Sequence, residues 1–304
     1  MKSIKKAFLK VLSIPHLNLK KYYRQYRKIL NAVMAPVKPP HHKLIDHKIM
    51  VEDREIPIRV FKPEKNPLNK VLVFFHGGGW VTGNIDTYSN VCANMADETR
   101  HLVISVDYRL APEYPYPNGL EDCYHATREI FTHLELIDCY DRDITLIGDS
   151  AGANLAAAVS LMARDRGEFL PRKQILIYPA TNNDYSNSSP YKSVIENGTG
   201  YVMTTKKIKD YMDLYVPKEE DRKSPYFAPI LSDDLSNQPS TLIITAEFDP
   251  LRDEGEAYGH KLKRFGNYVK IYRINDALHG FFSNPLNNID TNLAYEKINQ
   301  FLID

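Results

Sequence analysis

Cysteine is scarce in this chain: Cys92, Cys123 and Cys139 are the complement of 304 residues. An odd number of thiols, without metal-type spacing, argues against a disulfide framework. It fits a reducing compartment, so the expected location is cytoplasmic. No apolar run reaches the roughly 18 residues that a membrane-spanning helix needs. Residues 1–14 contain lysines and a short apolar stretch, but Lys10 interrupts it and no small-residue cleavage site follows. No signal peptide is expected there. Neither phosphate-loop spacing occurs, Gly-x-x-x-x-Gly-Lys-Ser/Thr or Gly-x-Gly-x-x-Gly. Internal repeats and low-complexity tracts are absent as well.

Acids are missing from one region altogether. Before Asp46 there are eleven Lys or Arg and no Asp or Glu. The remaining residues carry all 38 acids, and the formal charge of the whole chain is only +1. Such a balance, with no recognition motif, argues against nucleic acid as a partner. Two readings of the basic segment compete: a solvated helix face packed on an acidic body, or contact with an anionic membrane surface. The first is preferred, because the segment is also rich in Leu, Ile and Tyr that can pack inward.

What the chain does have begins with Gly148-Asp149-Ser150-Ala151-Gly152. This stretch lies between the apolar run 144–147 and an alanine-rich run at 154–158. That order reads as strand, sharp turn, helix. A Gly-x-Ser-x-Gly at such a junction is the nucleophile elbow of a serine hydrolase. The tight turn leaves no room for flanking side chains, and the first amides of the helix face the reacting centre. The pattern alone is weak; a second motif strengthens it. His76-Gly77-Gly78-Gly79-Trp80 follows the run Val71-Leu72-Val73-Phe74-Phe75. Three glycines after a buried strand let a ligand oxygen approach backbone N–H groups closely, as an oxyanion-binding loop requires.

Such enzymes place the acid after the serine and the histidine after the acid. The strand-like run 241–246 is followed by Glu247-Phe248-Asp249-Pro250-Leu251-Arg252-Asp253-Glu254. Asp249 precedes a proline, which keeps it extended at the strand end. Asp253 and Glu254 fall in the first turn of the next helix, where acids serve the helix dipole. Glu247 stays a rival, since alternation puts it on the same side of the strand as Asp249. The last strand-like run, 269–274, is followed by His279-Gly280-Phe281. His279 is therefore the expected base, Asp249 its orienting acid and Ser150 the nucleophile. No metal and no organic cofactor is called for.

The remainder alternates. Paired strands are expected within 46–62, then strand 71–75, helix 87–99, strand 102–107, helix 118–134, strand 144–148, helix 151–165 and strand 174–178. Strand 241–246, helix 252–265, strand 269–274 and helix 290–302 complete the series. Alternation of this kind implies an α/β, doubly wound, mostly parallel sheet. Residues 181–226 break the pattern, with one helix expected at 205–215. An insertion there would cover the serine, and with the N-terminal helices it would form a cap. The expected organisation is residues 1–45 as an N-terminal helical cap segment and 46–304 as the catalytic domain with the cap insertion.

Taken together, these motifs resemble the hormone-sensitive lipase-like family of α/β-hydrolase esterases. The matching pieces are His76-Gly77-Gly78-Gly79, Tyr108-Arg109-Leu110-Ala111-Pro112-Glu113, Gly148 to Asn154, Asp249 to Glu254 and His279-Gly280-Phe281, in the family's order. The resemblance implies hydrolysis of short to medium acyl carboxylic esters without cofactor. It also implies an oxyanion hole at Gly77, Gly78 and Ala151. A small-molecule ester is the partner it implies; a homodimer is left open. Two other classes share the scaffold: an amidase or other acyl-transfer enzyme with the same triad, and a non-catalytic ligand-binding protein. The presence of Ser150, Asp249 and His279 disfavours the last.

Overall fold

The computed structural model describes residues 18–34, 44–51, 54–134, 140–284 and 288–304. Cys139 and residues 1–14 lie outside them. In chain order the elements are helix α1 (Leu19–Met34), strands β1 (Leu44–Val51), β2 (Arg54–Phe61) and β3 (Val71–Phe75), helix α2 (Ser89–Thr99) and strand β4 (Leu102–Val106). Helix α3 (Asn118–Thr132), strand β5 (Ile144–Asp149), helix α4 (Ala151–Arg166) and strand β6 (Lys173–Ile177) follow. Then come helices α5 (Lys192–Glu196) and α6 (Thr205–Tyr215), strand β7 (Ser240–Phe248), helix α7 (Arg252–Arg264), strand β8 (Val269–Leu278) and helix α8 (Asn288–Ile303).

The strands form one sheet in the order β1-β2-β4-β3-β5-β6-β7-β8. β1, β2 and β4 pair antiparallel, and from β4 to β8 every pairing is parallel. The expectation of an α/β-hydrolase fold with a mostly parallel sheet is met. Every residue of β3 and β5 is buried, as befits central strands covered on both faces. Their side chains divide by alternation. Val71, Val73 and Phe75 join one core with Leu120 of α3, Leu155 of α4 and Leu262 of α7. Leu72 and Phe74 join the other, with Met95 of α2 and Ile298 of α8.

Helix α4 is buried without a break from Ala151 to Ala163. A helix apolar on all sides belongs in the interior, and its alanines let it lie close under the sheet. It ends on Gly167 in the left-handed region, with Arg164 and Arg166 in the last turn, an arrangement that satisfies the terminal carbonyls and the dipole.

Register sets up the site. Phe75 of β3 pairs with Gly148 of β5, so the glycine loop and the elbow leave the sheet side by side. Phe248 of β7 pairs with Leu278 of β8 beyond an irregularity after Ala246. The residues that follow them, Asp249 and His279, leave as neighbours too. β8 extends four residues past the expected end at Ile274, because polar Asn275 and Asp276 continue the strand, with Asp276 at φ 59.

The insertion between β6 and β7 carries α5 and α6. Thr204 caps α6 by accepting from the Lys207 N–H at 3.2 Å. α1 packs against α6. Arg27 of α1 donates to Val81 O at 2.6 Å and Ala111 O at 2.8 Å and pairs with Glu113. Lys20 pairs with Asp213 of α6. Two of the basic residues thus meet acids, Arg27 one of the body and Lys20 one of the insertion. Among the described residues no helix is long and apolar enough to cross a membrane.

Candidate active site

Ser150 sits between β5 and α4 with φ 54 and ψ −118, a region that non-glycine residues occupy only when their surroundings force it. The surroundings here are glycines. A Cβ on Gly152 would lie 1.9 Å from Phe75 O, and one on Gly148 would lie 2.4 Å from Gly152 C and O. Close backbone packing, more than turn conformation, demands both glycines.

Three side chains converge there. Ser150 Oγ lies 2.9 Å from His279 Nε2, and His279 Nδ1 lies 2.6 Å from Asp249 Oδ2. All three are buried. Because the carboxylate faces Nδ1, that nitrogen carries the proton and Nε2 is free to accept from the serine hydroxyl. Asp249 Oδ1 accepts from the Leu251 N–H at 2.9 Å, which fixes the carboxylate's rotation. The rival, Glu247, turns elsewhere: its Oε2 accepts from the Asp276 N–H at 2.7 Å across the β7–β8 irregularity. Alternation could not separate the two acids; the irregularity does.

Of the other two acids of that motif, Asp253 accepts from the Ser193 N–H at 2.8 Å. Glu254 departs from the expectation of a dipole-serving acid. It is fully buried, and Oε1 accepts from the N–H of Thr181, the N–H of Asn182 and Tyr185 Oη. Burial pushes its pKa up to about 8. Its Oε2 is buried without a hydrogen-bond partner among the described residues, so little in the fold repays the charge that burial disfavours.

The glycine loop requires a correction. Gly77, expected as an oxyanion donor, gives its N–H to Asp149 Oδ1 at 2.8 Å. That donor is engaged within the fold. Among the described residues the N–H groups of Gly78, Gly79 and Ala151 make no internal hydrogen bond. The loop's free donors are therefore its second and third glycines, joined by Ala151 at the start of α4. Gly78 has φ 116 and Gly79 φ 62, and a Cβ on Gly79 would meet the Tyr211 ring of α6 at 2.5 Å. Trp80 stacks on Tyr215 of the same helix, centroids 4.8 Å apart. From below, Tyr108 stacks on His76 at 4.3 Å and its hydroxyl donates to His76 O at 2.7 Å. Burial lowers the His76 pKa to about 4, so this imidazole stays neutral.

Sequence reading assigned no role to Asp149 or Asn154. Asn154 donates from Nδ2 to Ala180 O at 2.8 Å and to Phe227 O at 2.7 Å, holding both ends of the insertion. Its one signal is position: a buried-side amide one turn into an otherwise alanine-rich helix.

A family profile described as the alpha/beta hydrolase fold matches residues 72–283. The chain is 37% identical over 270 residues to an arylesterase of Saccharolobus solfataricus, covering 86% of this chain and 85% of that protein. It is 33% identical over 230 residues to an ethyl acetate hydrolase of Pseudomonas putida, covering 74% and 71%. A solved esterase of Pyrobaculum calidifontis superimposes with a TM-score of 0.87 at 36% identity, covering 99% of this chain and 98% of that one.

Proposed function

The chain belongs to the hormone-sensitive lipase-like family of α/β-hydrolase esterases, and from that premise we propose that it cleaves short to medium acyl esters by nucleophilic attack of Ser150. The observation that carries this reading is the unbroken run of contacts from Ser150 through His279 to Asp249, 2.9 and 2.6 Å long. Serine is a poor nucleophile without an adjacent base. His279 Nε2 takes the hydroxyl proton as Oγ bonds to the ester carbonyl carbon, and Asp249 stabilises the imidazolium. The carbonyl oxygen becomes an oxyanion, received by the Gly78, Gly79 and Ala151 N–H groups. The C–O bond then breaks, and the imidazolium returns its proton to the departing alcohol. A water molecule, deprotonated by His279, attacks the acyl-serine; its collapse releases the carboxylic acid and restores Ser150.

We assign the insertion at 181–226 and helix α1 to a cap over this centre. Arg27, Lys20, Tyr211 and Trp80 support that assignment by the contacts described above. A capped pocket has finite length, and each buried CH₂ is worth about 0.8 kcal/mol. Turnover should climb with acyl length and fall beyond roughly eight carbons, where added methylenes stay in water. The ethyl acetate hydrolase relative supports the short end of that range.

The test has two arms. Ser150→Ala should abolish labelling by a fluorophosphonate probe and ester turnover together. Persistent labelling and turnover in that variant would refute the nucleophile. A panel of p-nitrophenyl esters with an anilide control reads the acyl length and the ester-over-amide preference. Rates still rising at palmitoyl length would refute the closed pocket.

A further inference from the structure

Asp149 is the last residue of β5, 2% exposed, and directly precedes Ser150. Its Oδ1 accepts from the Gly77 N–H at 2.8 Å. Its Oδ2 accepts from Tyr88 Oη at 3.1 Å and Tyr178 Oη at 3.3 Å. The titratable groups facing it are Tyr88 just before α2, Cys92 of α2, Tyr108 after β4, Tyr178 after β6 and His279 after β8. Among the described residues no lysine or arginine pairs with it. Burial outweighs the donors and raises its pKa to about 6.

A buried carboxylate without a cation is costly and needs a reason. The glycine loop supplies one. Its turn is closed internally, with Gly78 O accepting from the N–H groups of Val81 and Thr82 and from the Thr82 hydroxyl. A hydrogen bond from the Gly77 N–H to Asp149 joins the loop to the serine-bearing strand. We propose that Asp149 is a positioning residue: it tethers the glycine loop to β5, sets the Gly78 and Gly79 amides over Ser150, and acts as a hydrogen-bond acceptor, its negative charge being dispensable. The proposal rests on the oxyanion role assigned to those amides above. An asparagine keeps the accepting oxygen and drops the charge, whereas an alanine drops both.

The experiment compares the full chain with Asp149→Ala and Asp149→Asn, using p-nitrophenyl butyrate kinetics and hydrogen–deuterium exchange of the peptide spanning residues 76–83. Asp149→Ala should lose about 10²-fold in kcat with KM little changed, the effect of a small misplacement of catalytic groups. Its loop should exchange faster. Asp149→Asn should stay within about threefold of the parent kcat and keep the parent loop protection. A third readout follows from linkage. A raised native pKa gives stability that is present below the ordinary value near 3.8 and lost as pH rises through about 6. The Tm of Asp149→Asn should therefore gain on the parent across that window. Wild-type kcat and loop protection in Asp149→Ala would overturn the proposal. So would an Asp149→Asn variant as impaired as Asp149→Ala, and that variant keeps the test open should the alanine form not fold. Loop exchange reads the tether without chemistry. Failure of the parent to label at Ser150 would instead strike the reaction itself.

Discussion

The elbow at the end of β5 and the insertion between β6 and β7 are held in opposite ways. At the elbow, missing side chains do the holding: Gly148 and Gly152 let backbone lie against backbone at distances no Cβ could share. At the insertion, polar side chains do it. Asn154 gathers Ala180 O and Phe227 O, Glu254 gathers the amides of Thr181 and Asn182, and Asn197 reaches the carbonyls of Glu247 and Asp249 at 3.2 Å. The difference teaches what each region tolerates. Substitutions at the elbow are decided by volume, those at the insertion's base by whether a buried carbonyl or amide keeps its partner. Between them stands the Ser150–His279–Asp249 chain, whose polar contacts carry the proposed reaction.

That division can be broken at its sharpest point by Asp249→Asn. The side chain keeps its shape, so Tm should move little, while kcat falls by about 10⁴-fold, as a wrong imidazole tautomer demands. Glu247→Gln should cost less than about tenfold, because an amide oxygen can still accept from Asp276. Equal losses would leave the acid unassigned. Next in size is Gly152→Ala. Its Cβ would sit 1.9 Å from Phe75 O, and a backbone atom cannot swing aside as a flexible side chain can. The expected cost is about 4 kcal/mol or more, read by urea unfolding or by failure to obtain folded protein. A variant as stable as the parent would show that the elbow has slack.

Asn154→Ala tests the other half of the comparison. Two buried carbonyls lose their donor, and the expected destabilisation is about 2–3 kcal/mol. Under the proposed cap, KM should rise more than kcat falls. The reverse split would tie Asn154 to the serine rather than to the insertion. At any one pH step the smallest effect is a slope. Glu254 has its pKa raised to about 8, so its contribution to stability is present below the ordinary value near 4.5 and is lost as pH rises towards 8. Glu254→Gln keeps the accepting oxygen and cannot ionise. Its stability should gain on the parent by about 1 kcal/mol per pH unit across that window. Parallel Tm–pH curves would refute the buried protonated acid.

The strands and the elbow were legible in the sequence because their causes are local. Val71 to Phe75 reads as a buried strand from composition alone, and glycines on both sides of a serine read as a turn. Even the approach of Asp249 to His279 follows from chain order, since each directly ends a strand of a parallel pair. What stayed illegible was which donor meets which acceptor across the fold. Gly77 and Gly78 look alike as letters, yet one N–H is taken by Asp149 and the other is free. Glu254 looks like any acid in a first helical turn until the insertion folds over it. Asn275 and Asp276 look like the end of a strand, although β8 runs on to Leu278.

A single side-chain amide, that of Asn154, touches the carbonyls at both ends of the insertion, so that excursion of the chain departs and returns at nearly one place. Geometrically it is a cassette whose two ends share one clasp. Its interior can lengthen, shorten or be exchanged for another without altering the distance the scaffold must span. Loop closure becomes only slightly more costly as such a segment grows. Under the proposed cap, a designer seeking a new acyl preference therefore has a defined graft: keep Asn154, Glu254 and the backbone at 180–182 and 227, and redraw what lies between.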